Sequence, residues 1–454
     1  MAKRRVLILG GGFAGTYAAR RLDRTLARRD DVEVVLISQE NYLLFTPMLH
    51  EVAAGDLYAA DIVNPLRKML KRVRFFEAEV VGIDLSERRV RFESGPLRRK
   101  HEIIYDYLLL ALGSETNYFG MDDVEARASS MKTLLDAALL RERMVAVLED
   151  AATEPDEARR RRLMTFVVAG GGFAGVETVG AMNDFLRETI RYYPELEESM
   201  LRVVLVHSSK VVLPELGERL GRYAQEKLKM RGVEVLLETR VKAYEQYTVK
   251  LAQGEPIDAV TIVWTAGVKP VAAVESLTVD KIKARLKVNE FLELAGHEGL
   301  VWAVGDCAAV PDGGGGVQPP TAQHGLRQAM AAAKNIEAAV NGRAKKAFHF
   351  STIGQLASIG RRAGVAQILG FRFSGFVAWF LWRTVYLSKL PGMMKKLRVA
   401  ISWSLDLIFA REIEQLLTMR DVEKVEKLSM SLRSTREALE KATAAAERPR
   451  PDRG

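Results

Sequence analysis

The stretch Val6-Leu7-Ile8-Leu9-Gly10-Gly11-Gly12-Phe13-Ala14-Gly15 decides the fold, because Phe166-Val167-Val168-Ala169-Gly170-Gly171-Gly172-Phe173-Ala174-Gly175 repeats its plan later in the chain. In each copy a short aliphatic run stops at glycine, the pattern of a strand buried on both faces of a parallel sheet. A helical pattern follows, Thr16 to Leu26 in the first copy and Val176 to Arg191 in the second. In this context the glycines have separate tasks. Gly10 and Gly170 permit the tight turn, Gly12 and Gly172 let the backbone approach a pyrophosphate, and Gly15 and Gly175 let helix pack on strand. The helix start adds free N–H groups and a positive dipole end. The duplication predicts two dinucleotide-binding units in one α/β chain.

A second strand in each unit should end near an acid that holds an adenosine ribose. After Val32–Ile37 comes Ser38, with Glu40 two residues on, and after Val203–Val206 comes His207, with Lys210 nearby. Neither position carries the acid. Serine still bonds a ribose hydroxyl, and His207 with Lys210 tolerates a 2′-phosphate, so NADH and NADPH both stay open.

Two dinucleotide sites in one chain point to redox chemistry between a bound flavin and a nicotinamide. Tyr107–Gly113 and Ile262–Gly267 each run from strand into small residues, the latter ending in Ala266 and Gly267, as crossovers returning to a parent sheet do. Val301-Trp302-Ala303-Val304-Gly305-Asp306 ends a further strand in a carboxylate able to accept from a ribityl hydroxyl.

Composition narrows the class. The 454 residues suffice for two or three domains, and 48% hydrophobic with 28% charged residues is globular. One cysteine, Cys307, excludes an internal disulfide, a CxxC motif, a thiol-disulfide flavoenzyme and a zinc finger; it reads as a packing residue. The histidines show no ligand spacing, so no metal site is expected. Of the net charge of +9, the window 361–400 holds eight basic residues and no acid, which implies one local anionic partner and no nucleic acid. The basic start of the chain meets glycine after four apolar residues, too early for an export signal. No apolar stretch is long enough to span a bilayer.

The order GGGFAG, ALGS, GGGFAGVE, WTAG, AVGD and Thr-Ala-Gln resembles the two-dinucleotide-binding-domain flavoproteins, and specifically the bacterial type II NADH dehydrogenases, non-proton-pumping NADH:quinone oxidoreductases. The likeness runs from about residue 4 to 410. It implies that the first unit holds FAD through Gly10, Gly12, Gly15, Gly305 and Asp306, with Thr46 and Pro47 near the flavin. It also implies that Gly170, Gly172, Gly175 and Glu177 serve the nicotinamide nucleotide. Pro320–Gln328 is similar to the family's quinone-site helix, whose glutamines stand four residues apart. Gln323 matches the first, whereas Arg327 occupies the second place and Gln328 follows one step late. Glu177 is expected in the first turn of its helix, positioning the nicotinamide against the flavin; stabilisation of the helix start is the plain alternative.

From Phe371 to Leu387 stand four phenylalanines, two tryptophans and a tyrosine, with Arg372 and Arg383 placed on one side of a helix. A second helix follows Pro391-Gly392 and shows Arg398, Ser402 and Asp406 as a polar stripe. Such helices suit the interface of an anionic membrane, where each basic residue adds about 1 kcal/mol; a dimer interface or a cover over the core is the alternative. Residues 411–440 read as a charged, solvated helix, and 442–454 as disordered.

The expected architecture is an α/β fold of two Rossmann-like domains, an FAD domain (1–160 and 285–360) split by an inserted NAD(P)H domain (161–284). Amphipathic membrane-docking helices (361–410) and a charged tail (411–454) complete it. The expected activity is transfer of a hydride from NADH to FAD and of two electrons to a membrane quinone, menaquinone or ubiquinone, at the cytoplasmic face of the membrane; a homodimer is compatible. A soluble reductase serving a ferredoxin-like protein and an NADH-sensing flavin-binding protein are the alternatives.

Overall fold

A computed structural model describes residues 3–415 and, beyond them, positions 424, 430, 431, 434 and 435. Of the solvated helix expected over 411–440, residues 411–415 are described and are not helical, with Arg411 buried against Asp56 and Glu188; most of the remainder and the whole tail at 442–454 lie outside the described residues.

Two parallel sheets are built on one plan. In the first, Val301–Ala303, Tyr107–Leu110, Arg4–Leu9, Val32–Ser38 and Arg74–Asp84 lie side by side in parallel. Arg89–Ser94 and Arg99–Ile104 extend its edge as antiparallel strands. In the second, the order is Ser129–Ser130, Thr261–Trp264, Thr165–Ala169, Arg202–Val206, Val233–Leu236, all parallel. The Val6–Leu9 and Phe166–Val168 runs are wholly buried, as helices on both faces require.

The two units differ in the source of the edge strand. The first sheet takes Val301–Ala303 from far downstream, whereas the second takes Ser129–Ser130 from upstream. The helix Leu134–Thr153, started by a Thr133–Asp136 capping box, also packs into the second unit's core through Leu140, Met144 and Leu148. The boundary expected at 160/161 therefore falls before Ser129. Two crossovers, one in each direction, tie the units together, and contiguous sequence ranges do not describe them.

After the long helix Ala322–Val340 the chain forms a three-stranded antiparallel sheet from Gly354–Ser358, Gly364–Ile368 and Phe371–Ser374, then the helices Gly375–Lys389 and Met393–Asp406. These last helices bury Trp382, Leu390, Val399 and Trp403 in the same core as the second unit. A buried tryptophan stabilises by about 3–5 kcal/mol relative to alanine, so the C-terminal segment is a structural part of the nucleotide-binding body.

Two expectations about this segment change. Arg372 lies on a strand and is exposed, whereas Arg383 lies on the following helix and is buried, because the hairpin runs through Ser374 and the helix starts only at Gly375. Asp406 does not continue a solvent stripe with Arg398; it turns inward to within 3.6 Å of Arg361 and 3.5 Å of Arg383. Among the described residues no helix is long and apolar enough to cross a membrane.

Candidate functional site

The paired glycine loops occupy equivalent places at the carboxyl ends of the two sheets. Gly10 and Gly170 have φ of +102° and +110°, where a side chain is strained, and a Cβ on Gly10 would stand 2.2 Å from the Ala111 carbonyl oxygen. A Cβ on Gly15 or Gly175 would stand 1.7 Å from the carbonyl oxygen of Gly10 or Gly170. Gly12 and Gly172 behave oppositely. Each takes the N-cap position of its helix, Phe13–Arg24 or Phe173–Thr189, without a side-chain cap, and a Cβ there would meet nothing within 4 Å. Each loop thus leaves an open space lined by helix-start N–H groups, a space that a side chain would fill.

Ser38 and His207 sit behind the middle glycines. A Cβ on Gly11 would collide with the Ser38 hydroxyl at 2.4 Å, and one on Gly171 with the His207 ring at 2.6 Å. The Gly171 N–H donates to His207 Nδ1 at 3.0 Å, and Nε2 is buried without a partner. Burial lowers the His207 pKa, so the ring is neutral and braces the loop. A neutral His207 brings no positive charge toward a 2′-phosphate, and of the pair His207 and Lys210 only Lys210 is exposed. On the opposite side of the second loop, Thr265 Oγ1 donates to the Ala169 carbonyl at 2.8 Å and leads into Ala266 and Gly267, the latter at φ +109°.

Gly305 and Asp306 join the first loop. Gly305 begins a 3-10 turn, and a Cβ there would lie 3.3 Å from Ala14 of the loop helix. Asp306 Oδ2 accepts from Ser114 Oγ at 2.8 Å, and Lys132 Nζ donates to Ser114 at 2.8 Å while standing 3.5 Å from Asp306. Sequence reasoning missed Lys132, which arrives from the crossover after Ser129–Ser130; only the register of that strand would have exposed it. Cys307 is buried with its thiol 3.3 Å from the Val304 carbonyl, and burial pushes its pKa up to about 11. It packs and does not react.

Between the two units lies a buried polar junction. Glu177 is the fifth residue of its helix, beyond the first turn, so helix-start stabilisation does not explain it. Its Oε1 accepts from the Trp382 indole at 2.9 Å and the Ser358 N–H at 3.2 Å; Oε2 lies 3.8 Å from His50 Nδ1. Burial raises Glu177 to about 8 and lowers His50 to about 3. At neutral pH this contact therefore joins a carboxylic acid to a neutral imidazole, and is not an ion pair. Glu51 is likewise buried and raised to about 8, with Oε2 accepting from the Trp403 indole at 3.0 Å.

An aromatic chain crosses the same junction. Phe13 contacts Phe45 with ring centroids 5.7 Å apart, Phe45 contacts Tyr386 at 6.2 Å, Tyr386 contacts Trp382 at 4.9 Å, and Trp382 contacts Trp403 at 6.2 Å. It connects the first glycine loop to the C-terminal helices. Thr46 and Pro47 open the 3-10 turn beside Phe45, with Thr46 exposed.

The helix Ala322–Val340, capped by Thr321, carries the remaining expected residues. Gln323 Nε2 donates to the Gly354 carbonyl at 3.1 Å, and its Oε1 accepts from the Ile353 N–H at 3.3 Å. Gln328 is fully engaged inside the protein, accepting from the Gly305 N–H at 2.8 Å and donating to Gln318 at 3.0 Å. It holds the Gly305 turn and offers no amide to a quinone ring, because one helical step rotates it away from Gln323 into the core. Arg327 is exposed and stacks its guanidinium on Phe350 at 5.1 Å. Among the described residues no group of three His, Cys, Asp or Glu is placed to hold a metal ion.

The outer face of the C-terminal helices is apolar. Phe376, Val377 and Phe380 on one helix and Met394, Leu397 and Ile401 on the next are each at least half exposed. Exposed Arg372, Lys389 and Arg398 stand along the same segment. Arg361 and Arg383 are turned inward, and Lys395 and Lys396 donate to the Ala60 and Ser388 carbonyls, so four of the eight basic residues in the window, Arg362, Arg372, Lys389 and Arg398, stand exposed to meet an anionic partner.

Residues 4–335 match the family model described as pyridine nucleotide-disulphide oxidoreductase, and 353–412 match the NDH2 C-terminal domain. Two Mycobacterium tuberculosis proteins named type II NADH:quinone oxidoreductase, Ndh and NdhA, are 32% and 34% identical to this chain. The alignments cover 90% and 89% of it and 89% and 87% of the relatives. The structure of Plasmodium falciparum NDH2 in complex with NADH superposes with a TM-score of 0.83 at 18% identity, covering 91% of this chain and 100% of that one. The sulfide:quinone oxidoreductase of Aquifex aeolicus superposes less closely, with a TM-score of 0.67 at 20% identity over 88% of this chain and 92% of its own.

Proposed function

The chain belongs to the pyridine nucleotide-disulphide oxidoreductase family and, with its NDH2 C-terminal domain, to the type II NADH:quinone oxidoreductases, and from that premise we propose how its residues divide the work. The open spaces at Gly12 and Gly172 carry this reading: each has the shape and the N–H lining for one pyrophosphate.

The first unit takes FAD, with its pyrophosphate over Gly10–Gly15, its adenosine ribose near Ser38 and its ribityl chain near Asp306. When bound, FAD supplies the relay that accepts a hydride from NADH and passes two electrons to quinone. Gly305 and Asp306 form one wall of that site, and Ser114 with Lys132 fixes the direction of the Asp306 carboxylate. The second unit takes NADH over Gly170–Gly175, with Ala266 and Gly267 opposite. Glu177, held by Trp382 and Ser358, positions the junction between the units and carries a proton at neutral pH. Gln323 and Arg327 lie on the helix that leads from the Gly305 turn toward the C-terminal sheet, where a quinone would enter.

The exposed apolar face, with its flanking cations, docks the protein on the cytoplasmic face of the membrane at an anionic lipid surface, so that a lipid-soluble quinone reaches the junction without crossing water. This face favours a membrane acceptor over a soluble ferredoxin-like protein, which would call for a polar docking surface. The single buried cysteine disfavours the sulfide:quinone chemistry of the Aquifex neighbour, which needs a thiol partner. The test is to release the bound flavin with acid, identify it by chromatography, and compare NADH oxidation with and without a quinone. FAD and quinone-dependent turnover are expected; FMN, or oxidation indifferent to quinone, refutes the assignment.

A further inference from the structure

Behind Glu177 lies a cavity of about 10 Å³, lined by His50, Glu51, Asp184, Arg361, Arg383 and Asp406 among others. This is roughly the space one water needs. Four buried polar atoms on these residues have no hydrogen-bond partner in the protein, His50 Nε2, Arg361 Nε, Arg383 Nε and Asp406 Oδ2, the last lying 3.5 Å from the Arg383 guanidinium. Unpartnered buried polar groups are costly, so an internal water is the economical explanation.

We propose that Glu51 and His50, linked by this cavity water, form a relay that returns to Glu177 the proton consumed by quinone reduction. The inference rests on the quinone reductase reading. Reduction of one quinone takes two electrons and two protons; NADH supplies both electrons and one proton, so one proton per turnover comes from solvent. In the relay, Glu51 gives its proton to the cavity water, the water gives one to His50 Nε2, and His50 releases the proton on Nδ1 to a Glu177 carboxylate that has given its own to the quinone; ring reorientation with proton exchange then restores the Nδ1–H tautomer before the next turnover. Glu51 then regains a proton from solvent. The 3.8 Å between His50 Nδ1 and Glu177 Oε2 is slightly beyond hydrogen-bond length, and such contacts commonly tighten when substrate binds.

The charges facing Glu51 come from every element around it. Arg383 favours its ionised form, whereas Asp56, Asp406 and Glu177 oppose it, and burial outweighs them all. A proton therefore resides on Glu51 near neutral pH. Trp403 bonds to one oxygen only and leaves the other for the cavity.

The alternative is a purely structural clasp between Glu51 and Trp403. Glu51→Gln keeps the acceptor for Trp403 and the volume, so a clasp survives it and a relay does not. In the holoenzyme, bleaching of the flavin by NADH should keep its wild-type rate, whereas reoxidation by a short-chain quinone should slow by about tenfold or more. The solvent deuterium isotope effect should rise, and of the two carboxyls that titrate near pH 8, Glu51 and Glu177, the profile should retain only the contribution of Glu177. His50→Phe retains a ring beside Trp382 and should show the same slowing. Infrared difference spectra should contain a protonated-carboxyl band that Glu51→Gln removes. Wild-type reoxidation rates and pH profiles in both variants, or absence of that band at neutral pH, overturns the relay. A wild-type protein that reduces no quinone refutes instead the reading on which the relay rests.

Discussion

Replacing Gly12 or Gly172 by valine should remove one nucleotide while leaving the fold in place. Both glycines have φ near −70°, an ordinary value for any L-residue, and an added Cβ meets no protein atom within 4 Å. The cost to the folded chain is that of a poorer N-cap residue, about 1 kcal/mol or less. The ligand fares differently, because the valine methyls occupy the space over the helix-start N–H groups. Losing two charge-assisted hydrogen bonds at about 1.5–3 kcal/mol each weakens binding by a factor of at least about 100. Gly12→Val should purify colourless with a melting temperature close to that of flavin-stripped wild type. Gly172→Val should keep its flavin and fail to bleach when NADH is added. Gly15→Ala provides the contrast. Its Cβ would lie 1.7 Å from the Gly10 carbonyl oxygen, so strand and helix must move apart and the variant should misfold. Calorimetry and the visible spectrum of the three variants check the argument. Full flavin content in Gly12→Val, or unfolding of Gly12→Val as severe as that of Gly15→Ala, refutes it.

Glu177→Gln should change the pH dependence of stability. The folded carboxyl stays protonated to about pH 8 while the unfolded one ionises near its model value of 4.5, so wild-type stability falls as pH rises across that window. The variant lacks this loss and should gain on wild type by up to a few kcal/mol between about pH 5 and pH 9; parallel melting curves would show that Glu177 ionises normally. Removing everything from Phe371 onward would delete Trp382 and Trp403 and uncover the core they pack against, so the docking face is better tested by Phe380→Ser, Leu397→Ser and Ile401→Ser together. That variant should leave anionic vesicles and reduce long-chain quinone slowly, while its flavin is still bleached by NADH at the wild-type rate; full activity in liposomes would assign the face to another role. His207→Glu should still accept the Gly171 N–H and should raise the preference for NADH over NADPH through repulsion of the 2′-phosphate. An unchanged ratio of kcat/KM values would place the ribose elsewhere.

The glycine loops were legible because their constraints are local: a positive φ at Gly10, a helix resting on Gly15 and a ligand space at Gly12 each lie within a few residues of one another. The AVGD strand end was legible for the same reason. The sources of the edge strands were not, since nothing in Ser129-Ser130 reports that they pair with Val263 and Trp264. Lys132 was missed with them. The polar junction was half visible: Glu177 was found through its motif, but His50, Glu51, Trp382 and Trp403 come from three distant segments. In the C-terminal helices the aromatic density and basic charge set the segment apart, but not its two sides. Trp382, Arg383 and Asp406 face inward, whereas Phe380, Leu397 and Ile401 face out, and the hairpin that starts the first helix late sets that phase.

The central claim is that one chain accepts a hydride from NADH on a bound flavin and delivers two electrons to quinone. The most direct measurement is the anaerobic visible spectrum of the purified protein during stepwise addition of NADH and then of quinone. The account predicts a flavin band that bleaches with one equivalent of NADH and returns with one equivalent of quinone. A protein without a flavin band, or a bleached flavin that quinone fails to reoxidise, would contradict it.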